Sequence, residues 1–448
     1  MGVNRREFLK GAAMVGAAAA VSTAACGGPA GMGAPTETSE ASGVPNLPGG
    51  AYFQQLGRDL TAAGFGTPQI LIDLDRLDAN ADSIAGEIGR DRYRIVEKSL
   101  PSLDLLDYIR KRTGSDRFLV LHLPFLPALL QAIPAADVLV GKVHPVAAVS
   151  RFFAEIAEAE RAQVAARVRF LVESRARLDE LAALAGALSL TLQVGVEIDV
   201  GLHRSGVRRP EDLPAVLAGF MAHAGAIRFA GMLGYDGHIP FAPVAAGTEK
   251  GALYAAYRAM ASSYQSFVDV LKAQFPSLWR DGLVLNSGGS ATYPLHHGGV
   301  INDVAAGGGM LRPTSYPNYV IDALKPALFI AAPVLSHYDK VELPFFAKIG
   351  GSLFDGQQAI SIYGGGWPAV FVWPTGVSLA PLATDPEGWN LVPNQTLLVA
   401  PASPPINLDE WVFQVPRLAD AIFQFEEIRL VRGGRLQPDR FRAYPRRY

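Results

Sequence analysis

The sequence is poor in residues that mark several common protein classes. Cysteine occurs once, at Cys26, which excludes an internal disulfide framework and a cysteine-rich zinc module. Charged residues make up 18% of the chain, the formal net charge is −2, and no block rich in lysine or arginine follows the N-terminal segment. This balance argues against nucleic acid or a membrane surface as a partner of the mature protein. With 448 residues, 49% of them hydrophobic, the chain is long enough for two globular domains.

The N-terminal segment has the order of an export signal. Arg5 and Arg6 precede Glu-Phe-Leu-Lys and an Ala-rich apolar run over residues 11–25. That run is shorter than the roughly 20 residues that span a bilayer, so it predicts a cleavable signal over residues 1–26. The paired arginines indicate the twin-arginine route for folded proteins and hence a periplasmic location. Cys26 stands where the signal ends, which leaves both simple cleavage and lipidation of Cys26 open.

The segment after the signal has a different composition. Residues 27–50 are rich in Gly, Pro, Ser and Thr and have no apolar periodicity. Such a segment cannot bury a hydrophobic face, and it predicts a flexible tether.

From about residue 51 the chain alternates between apolar, strand-like runs and helix-like stretches. The runs are Gln69–Leu74, Tyr93–Lys98, Phe118–Leu123, Asp137–Gly141, Val168–Glu173, Thr191–Ile198, Phe229–Tyr235 and Leu283–Ser287. Apolar strands separated by helices indicate a parallel sheet that is covered on both faces. The number of units favours a closed (β/α)8 barrel over an open sheet, and no Gly-x-Gly-x-x-Gly turn follows the first run. The predicted fold class is α/β, with the barrel over residues 51–325.

The pattern changes after about residue 325. Short apolar runs punctuated by proline follow one another, and a helix-like stretch occurs only around residues 416–426. Residues 326–448 therefore predict a smaller, β-rich C-terminal domain.

Reactive side chains follow several predicted strands, at the end of a barrel where active sites gather. Lys98 ends the second run. Taken alone it is typical of a solvated strand terminus, yet a strand end also gives a reactive lysine a rigid base and partial desolvation. Arg204 follows a later run, and Tyr235 and His238 follow the next one, in Tyr-Asp-Gly-His.

The last predicted strand opens into small residues. Asn286, Ser287, Gly288, Gly289 and Ser290 are consecutive. Glycines let backbone N–H groups approach an anion and serine hydroxyls add donors, so this turn predicts a phosphate-binding cup.

Together these motifs resemble the fold-type III pyridoxal 5'-phosphate (PLP) enzymes, whose barrel is similar to the N-terminal domain of alanine racemase. The closer resemblance is to the branch of D-threonine aldolases, D-serine dehydratases and amino-acid deaminases, and it extends from Gly66 to Asp322. It implies PLP as the cofactor. The implied roles are covalent attachment at Lys98, a ring-oxygen contact from Arg204, ring packing by Tyr235 and His238, phosphate binding by Asn286, Ser287, Gly288, Gly289 and Ser290, and a cofactor contact from Tyr316 in Leu-Arg-Pro-Thr-Ser-Tyr.

Two departures from the family pattern bear on chemistry. The usual Thr-His-Lys after the cofactor lysine is replaced by Ser-Leu-Pro at residues 99–101. The late metal-binding stretch of the aldolases and dehydratases reads Pro-Ala-Ser at residues 401–403, and these side chains are poor or impossible metal ligands. His296 and His297 are adjacent, so on an extended segment they point to opposite faces. We therefore expect no metal site.

The resemblance implies a homodimeric enzyme that acts at the Cα of an amino-acid substrate. A D-amino-acid lyase or deaminase that works without the usual metal is the first expectation. An amino-acid racemase is an alternative, and it would need a second acid/base, for which Tyr363 is the candidate. A PLP-binding protein without catalysis is another alternative. A barrel hydrolase that uses Glu197 and Asp199 would need no PLP.

Overall fold

The computed structural model describes residues 43–244, 247–316, 320–342, 354–380 and 394–444. In chain order its strands are β1 Gln69–Asp73, β2 Tyr93–Val96, β3 Arg117–Val120, β4 Asp137–Val140, β5 Val168–Val172, β6 Leu192–Glu197, β7 Ile227–Leu233, β8 Val284–Ser287, β9 Asp303–Ala306, β10 Leu328–Tyr338, β11 Gln357–Tyr363, β12 Ala369–Trp373, β13 Ser378–Leu379, β14 Gln395–Pro401, β15 Trp411–Pro416, β16 Glu427–Arg432 and β17 Arg435–Arg442. Its α-helices are α1 Gly50–Ala62, α2 Leu74–Ile88, α3 Leu103–Thr113, α4 Leu126–Ala132, α5 Val146–Ala154, α6 Glu158–Arg167, α7 Arg175–Ala187, α8 Leu213–Ala222 and α9 Glu249–Gln274.

Strands β2 to β9 close into a parallel barrel in chain order. The ring closes where Tyr93 of β2 lies opposite Val304 of β9. Local capping delimits the helices around it, because the Ser102 and Ser174 side chains accept the N–H groups of the first turns of α3 and α7. The predicted (β/α)8 barrel is confirmed.

A second sheet contains the remaining strands. Within the described ranges it has nine strands, ordered β13-β14-β11-β10-β1-β16-β17, with β15 pairing to both β10 and β12. Helix α1 packs on this sheet, where Phe53 and Leu56 join a buried cluster with Phe329 and Phe413. The predicted β-rich domain is present, and it also includes an N-terminal segment.

The strand assignment differs from the sequence-based expectation at one position. Strand β1, expected to open the barrel, lies in the second sheet, where Ile70 is opposite Ile330 of β10 and Ile428 of β16. All five residues of β1 are buried, so its pattern is the same as that of a barrel strand. The eighth barrel strand is β9, which the sequence-based assignment does not include. Residues 50–73 thus belong to the second sheet and not to a barrel domain that begins at residue 51.

One smaller expectation also needs correction. The end of the predicted tether is packed, because Val44 is buried and the Asn46 amide donates to the Leu324 carbonyl at 3.1 Å. Residues 27–42 of that tether lie outside the described residues.

An ionic network fills the amino-terminal end of the barrel. Arg94 is fully buried and binds Asp303 through two parallel hydrogen bonds of 2.7 and 2.8 Å. Its third nitrogen lies 2.9 Å from Asp137, which also pairs with Arg169 at 2.7 Å. Bidentate geometry and mutual neutralisation allow these charges to be buried. The carboxyl-terminal end of the barrel is left as the open mouth.

Candidate active site

Lys98 stands at the mouth because it follows the carboxyl end of β2. Strand β2 ends at Val96, which packs inside the barrel, and a short 3-10 turn over Glu97–Ser99 follows. Glu97 points away from the interior and is fully buried, whereas Lys98 is exposed. Lys98 lines a cleft of about 540 Å³. The other lining residues are Leu121, His122, Lys142, Val143, His144, Pro145, Glu173, Arg177, Glu197, Arg204 and Ser205.

Arg204 forms the β6 side of the cleft. Its guanidinium carbon lies 5.0 Å from the centre of the Tyr235 ring, and one of its nitrogens is 4.0 Å from the Glu197 carboxylate. Glu197 is buried, and desolvation raises its pKa, while the Ser205 hydroxyl donates to it and opposes that shift. Asp199 accepts the N–H groups of Gly201 and His203 and so shapes the loop that carries Arg204. The two carboxylates that a hydrolase would use are thus engaged by this loop.

His238 packs directly against the same loop. A Cβ atom on Gly201 would lie 2.8 Å from His238 Nε2, and the φ of Gly201 is +123°, so only glycine fits there. The imidazole is half-buried, desolvation lowers its pKa, and its Nδ1 has no hydrogen-bond partner in the described part of the chain. His238 is therefore a neutral ring at neutral pH, with one buried nitrogen that no described group binds.

A glycine-lined cup follows β8 and β9. Gly288 has a φ of +94°, and Gly289 lies under the Tyr235 ring, where an added Cβ would come within 3.4 Å. The Ser290 hydroxyl accepts the Gly309 N–H at 2.8 Å and ties the two turns together. A Cβ on Gly308 would lie 2.5 Å from the Tyr316 hydroxyl. Bare backbone surrounded by hydroxyls suits an anion such as phosphate.

The structure divides the predicted phosphate-binding turn. Gly288, Gly289 and Ser290 belong to the cup, but the Ser287 hydroxyl donates to the Gly234 carbonyl and the Asn286 amide donates to Asp303 at 2.6 Å. The Asn286 amide is thus part of the ionic network in the barrel interior. Sequence reasoning also missed the second half of the cup, Gly307, Gly308 and Gly309, for which the available signal was three consecutive glycines after a short apolar run.

Other candidate residues lie elsewhere. Tyr363 ends β11 of the second sheet, is 41% exposed, and is not among the residues that line the cleft around Lys98. His296 is buried with its Nε2 2.8 Å from Asp236, while His297 is exposed, so the two do not face one ion. Among the described residues, no group of three or more His, Cys, Asp and Glu side chains converges as metal ligands.

This arrangement defines a class of protein. A parallel barrel with a lysine after its first strand, an arginine over a tyrosine ring, and a glycine-lined cup after its last strands is that of the fold-type III PLP enzymes. The chain belongs to the alanine racemase family, because residues 72–297 match the alanine racemase N-terminal domain. The resemblance noted from the motifs is confirmed.

Solved structures agree on the fold. D-threonine aldolase from Filomicrobium marinum is 18% identical, with a TM-score of 0.66 over 85% of this chain and 97% of its own. D-threo-3-hydroxyaspartate dehydratase from Delftia sp. HT23 is 18% identical, with a TM-score of 0.63 over 86% and 98%. Alanine racemase from Bacillus anthracis is 15% identical, with a TM-score of 0.59 over 84% and 98%. Among curated protein sequences, none matches this chain.

The N-terminus is also identified. Residues 2–22 match the twin-arginine translocation signal, so the predicted export to the periplasm is confirmed. None of the described helices is both long and apolar enough to cross a bilayer. Cys26 lies outside the described residues, and its lipidation stays a prediction that membrane association of a Cys26→Ser variant would test.

Replacing Arg5 and Arg6 by lysine is expected to stop export. The twin-arginine route requires the paired guanidinium groups, and a folded passenger cannot use a route for unfolded chains. Cell fractionation should show the variant in the cytoplasm and the parent in the periplasm. Replacing Lys10 by arginine is the matched control and should leave export unchanged. Periplasmic accumulation of the double lysine variant at the parent level would rule out this route.

Proposed function

We propose that the protein is a PLP-dependent lyase or deaminase that acts at the Cα of D-amino acids, as a homodimer. The observation that carries the proposal is the position of Lys98, which lines a cleft at the barrel mouth next to the glycine-lined cup. PLP needs a lysine for covalent attachment, a cup for its phosphate and walls for its ring, and Lys98, the glycine-lined cup and Tyr235 would supply them.

The residues fit the cofactor at both ends. Gly308 is so close to Tyr316 that any side chain would fill the cup, so the space is kept for a small anionic group. Tyr235, which lies between the cup and Arg204, offers an aromatic face for a planar ring. The imidazole of His238 packs against the loop that carries Arg204, on the same side as this aromatic face.

PLP, when bound, acts as an electron sink for negative charge that develops at the substrate Cα. The chain supplies the proton chemistry and the orientation. The Lys98 amine, exposed in the cleft, can take a proton from the face of Cα that it approaches. Arg204 gives a fixed positive charge on the β6 side, and burial raises the pKa of its neighbour Glu197.

The position of Tyr363 supports a lyase over a racemase that uses this residue. A racemase needs a second acid/base on the opposite face of Cα, and Tyr363, the candidate for that role, is not among the described residues that line the cleft. Elimination or carbon–carbon cleavage can proceed with one base.

A panel of D- and L-amino acids tests the proposal. Mature protein loaded with PLP is incubated with the two enantiomers of threonine, serine and 3-hydroxyaspartate, and carbonyl product and ammonia are measured. Product from D-enantiomers alone is the expected result. Interconversion of enantiomers without carbonyl product would identify a racemase instead. Bound PLP without any turnover would identify a non-catalytic binder, and a protein that takes up no PLP would overturn the proposal altogether.

Activity is expected to be independent of transition metals. At residues 401–403 the chain has proline, alanine and serine, and the remaining acceptors of that region suit divalent ions only weakly. Chelator treatment at fixed PLP concentration should leave the rate unchanged, and the purified protein should contain no stoichiometric zinc. Loss of activity on chelation with recovery on adding metal would contradict this prediction and favour metal-dependent cleavage.

A further inference from the structure

One wall of the cleft carries a positive charge that the proposed chemistry leaves unused. Lys142 follows β4, is half-buried, and lines the same cleft as Lys98. No carboxylate of the described residues lies within 4.0 Å of its ammonium group, and no hydrogen bond holds it. A partly buried ammonium without a counter-charge is unfavourable, so this wall suits an anionic group of a ligand.

Two histidines flank that lysine. Desolvation lowers the pKa of His122, and it lowers the pKa of His144 to about 4, with Lys142 contributing to both shifts. Both rings are therefore neutral at neutral pH, and Lys142 stays the main charge. The Nε2 atom of His144 is buried and has no partner among the described residues. The β3–β4 wall is the part of the cleft formed by His122, Lys142 and His144.

The β3–β4 wall lies on the substrate side of Lys98. Strand β2, which carries Lys98, is flanked by β9 on one side and by β3 on the other. The cup follows β8 and β9. With the cofactor phosphate in this cup, the part of the cleft along β3 to β6 remains for the substrate. Arg204 on the β6 side can pair with the α-carboxylate that every amino acid carries. The charge of Lys142 then remains for a second carboxylate.

We propose that the β3–β4 wall binds the side-chain carboxylate of an acidic amino acid, and that Lys142 determines this specificity. This inference rests on the proposed function, because it assumes an amino acid next to Lys98. It narrows the substrate class to D-amino acids with a second carboxylate three or four carbons from the first. The cleft volume of about 540 Å³ is ample for such a molecule.

The test compares the affinities of the protein for racemic α-methylaspartate and racemic α-methylasparagine. They have nearly the same shape, differ in side-chain charge, and lack the Cα hydrogen, so binding is measured without turnover. Affinities are determined by calorimetry with PLP-loaded protein. We expect the acid to bind at least about tenfold more tightly than the amide, since a charge-assisted hydrogen bond contributes that much or more. Lys142→Gln should weaken binding of the acid by about 10- to 100-fold and change binding of the amide less than twofold.

The matched control is Lys340→Gln, an exposed lysine of the second sheet's domain, which should leave both affinities unchanged. Thermal melting verifies that each variant is folded. Equal affinity of the parent protein for acid and amide would overturn the inference, and so would equal weakening of both by Lys142→Gln. Failure of the proposed function is recognised separately, because PLP would then be absent from the protein or unresponsive to both ligands.

Discussion

Lys98→Ala is expected to abolish covalent attachment of PLP and to lower any turnover by at least about 100-fold, the contribution typical of a positioned acid/base. The visible absorbance of a lysine-bound PLP should disappear, and borohydride should no longer fix the cofactor to the protein. Stability should change little, because Lys98 is exposed and makes no hydrogen bond within the described residues. Absorbance spectra, peptide mapping after reduction, and thermal melting measure the three effects.

Lys142→Ala is the matched control for this experiment, because Lys142 is the second lysine that lines the cleft. It should retain the visible band and the reducible attachment. If reduction instead labelled Lys142 in the parent protein, or if the Lys98 variant kept its band, the assignment of Lys98 would be refuted.

Glu97→Gln is expected to change how stability depends on pH. Burial raises the pKa of Glu97 from 4.5 to about 8 in the folded protein. Between these values the folded state keeps a proton that the unfolded chain loses, so the free energy of unfolding falls as pH rises from about 4.5 to about 8. A shift of this size corresponds to a loss of up to about 5 kcal/mol, since one pKa unit is worth about 1.4 kcal/mol. A glutamine at position 97 stays neutral at every pH, so the variant does not show this loss of stability as pH rises.

The free energy of unfolding of both proteins is measured by denaturant titration at intervals from pH 5 to pH 8. Relative to the parent, the stability of Glu97→Gln should rise by about 3–5 kcal/mol across that window, whatever the offset between the two proteins at pH 5. Glu160→Gln, on the exposed face of α6, is the control for removing a carboxylate. A difference between parent and Glu97→Gln that stays constant from pH 5 to pH 8 would show that Glu97 is ionised in the folded protein.

The C-terminal end of the chain packs beside the turn that contains Glu97. The Tyr444 N–H donates to the Pro101 carbonyl at 2.8 Å, and its ring stacks on Phe125 with centroids 4.4 Å apart. Burial raises the pKa of the Tyr444 hydroxyl, and the nearby Glu97 carboxyl adds to this shift. Ionisation of Glu97 would therefore loosen the contact between the tail and the turn that carries the reactive lysine.

Several features of the protein could be read directly from the sequence. The export signal is local, since its paired arginines and apolar run are contiguous. The barrel was predictable because apolar runs and helices alternate in chain order, and parallel strands in such an order place their carboxyl ends on one side. This rule alone predicts that Lys98, Arg204 and Tyr235 lie at the same end of the barrel.

Other features were decided by contacts between distant parts of the chain. Strand β1 has the burial pattern of a barrel strand, and only its pairing with β10 and β16 assigns it to the second sheet. Asn286 and Ser290 lie in the same short turn, yet the Asn286 amide meets Asp303 in the barrel interior while Ser290 meets Gly309 in the cup. Which strands pair, and which face of a strand each side chain occupies, decide where these residues lie. A local sequence pattern contains neither piece of information.

The same distinction separates the cofactor site from the substrate site. A reactive lysine and a glycine-rich turn are recognisable in the sequence because the chemistry requires those residue types at strand ends. The charge environment of Lys142 and the burial of Glu97 are not recognisable there. Whether Lys142 has a counter-ion depends on side chains of several strands, and the pKa of Glu97 depends on its burial in the folded chain. Desolvation and charge pairing act through space, so the tertiary structure alone determines them.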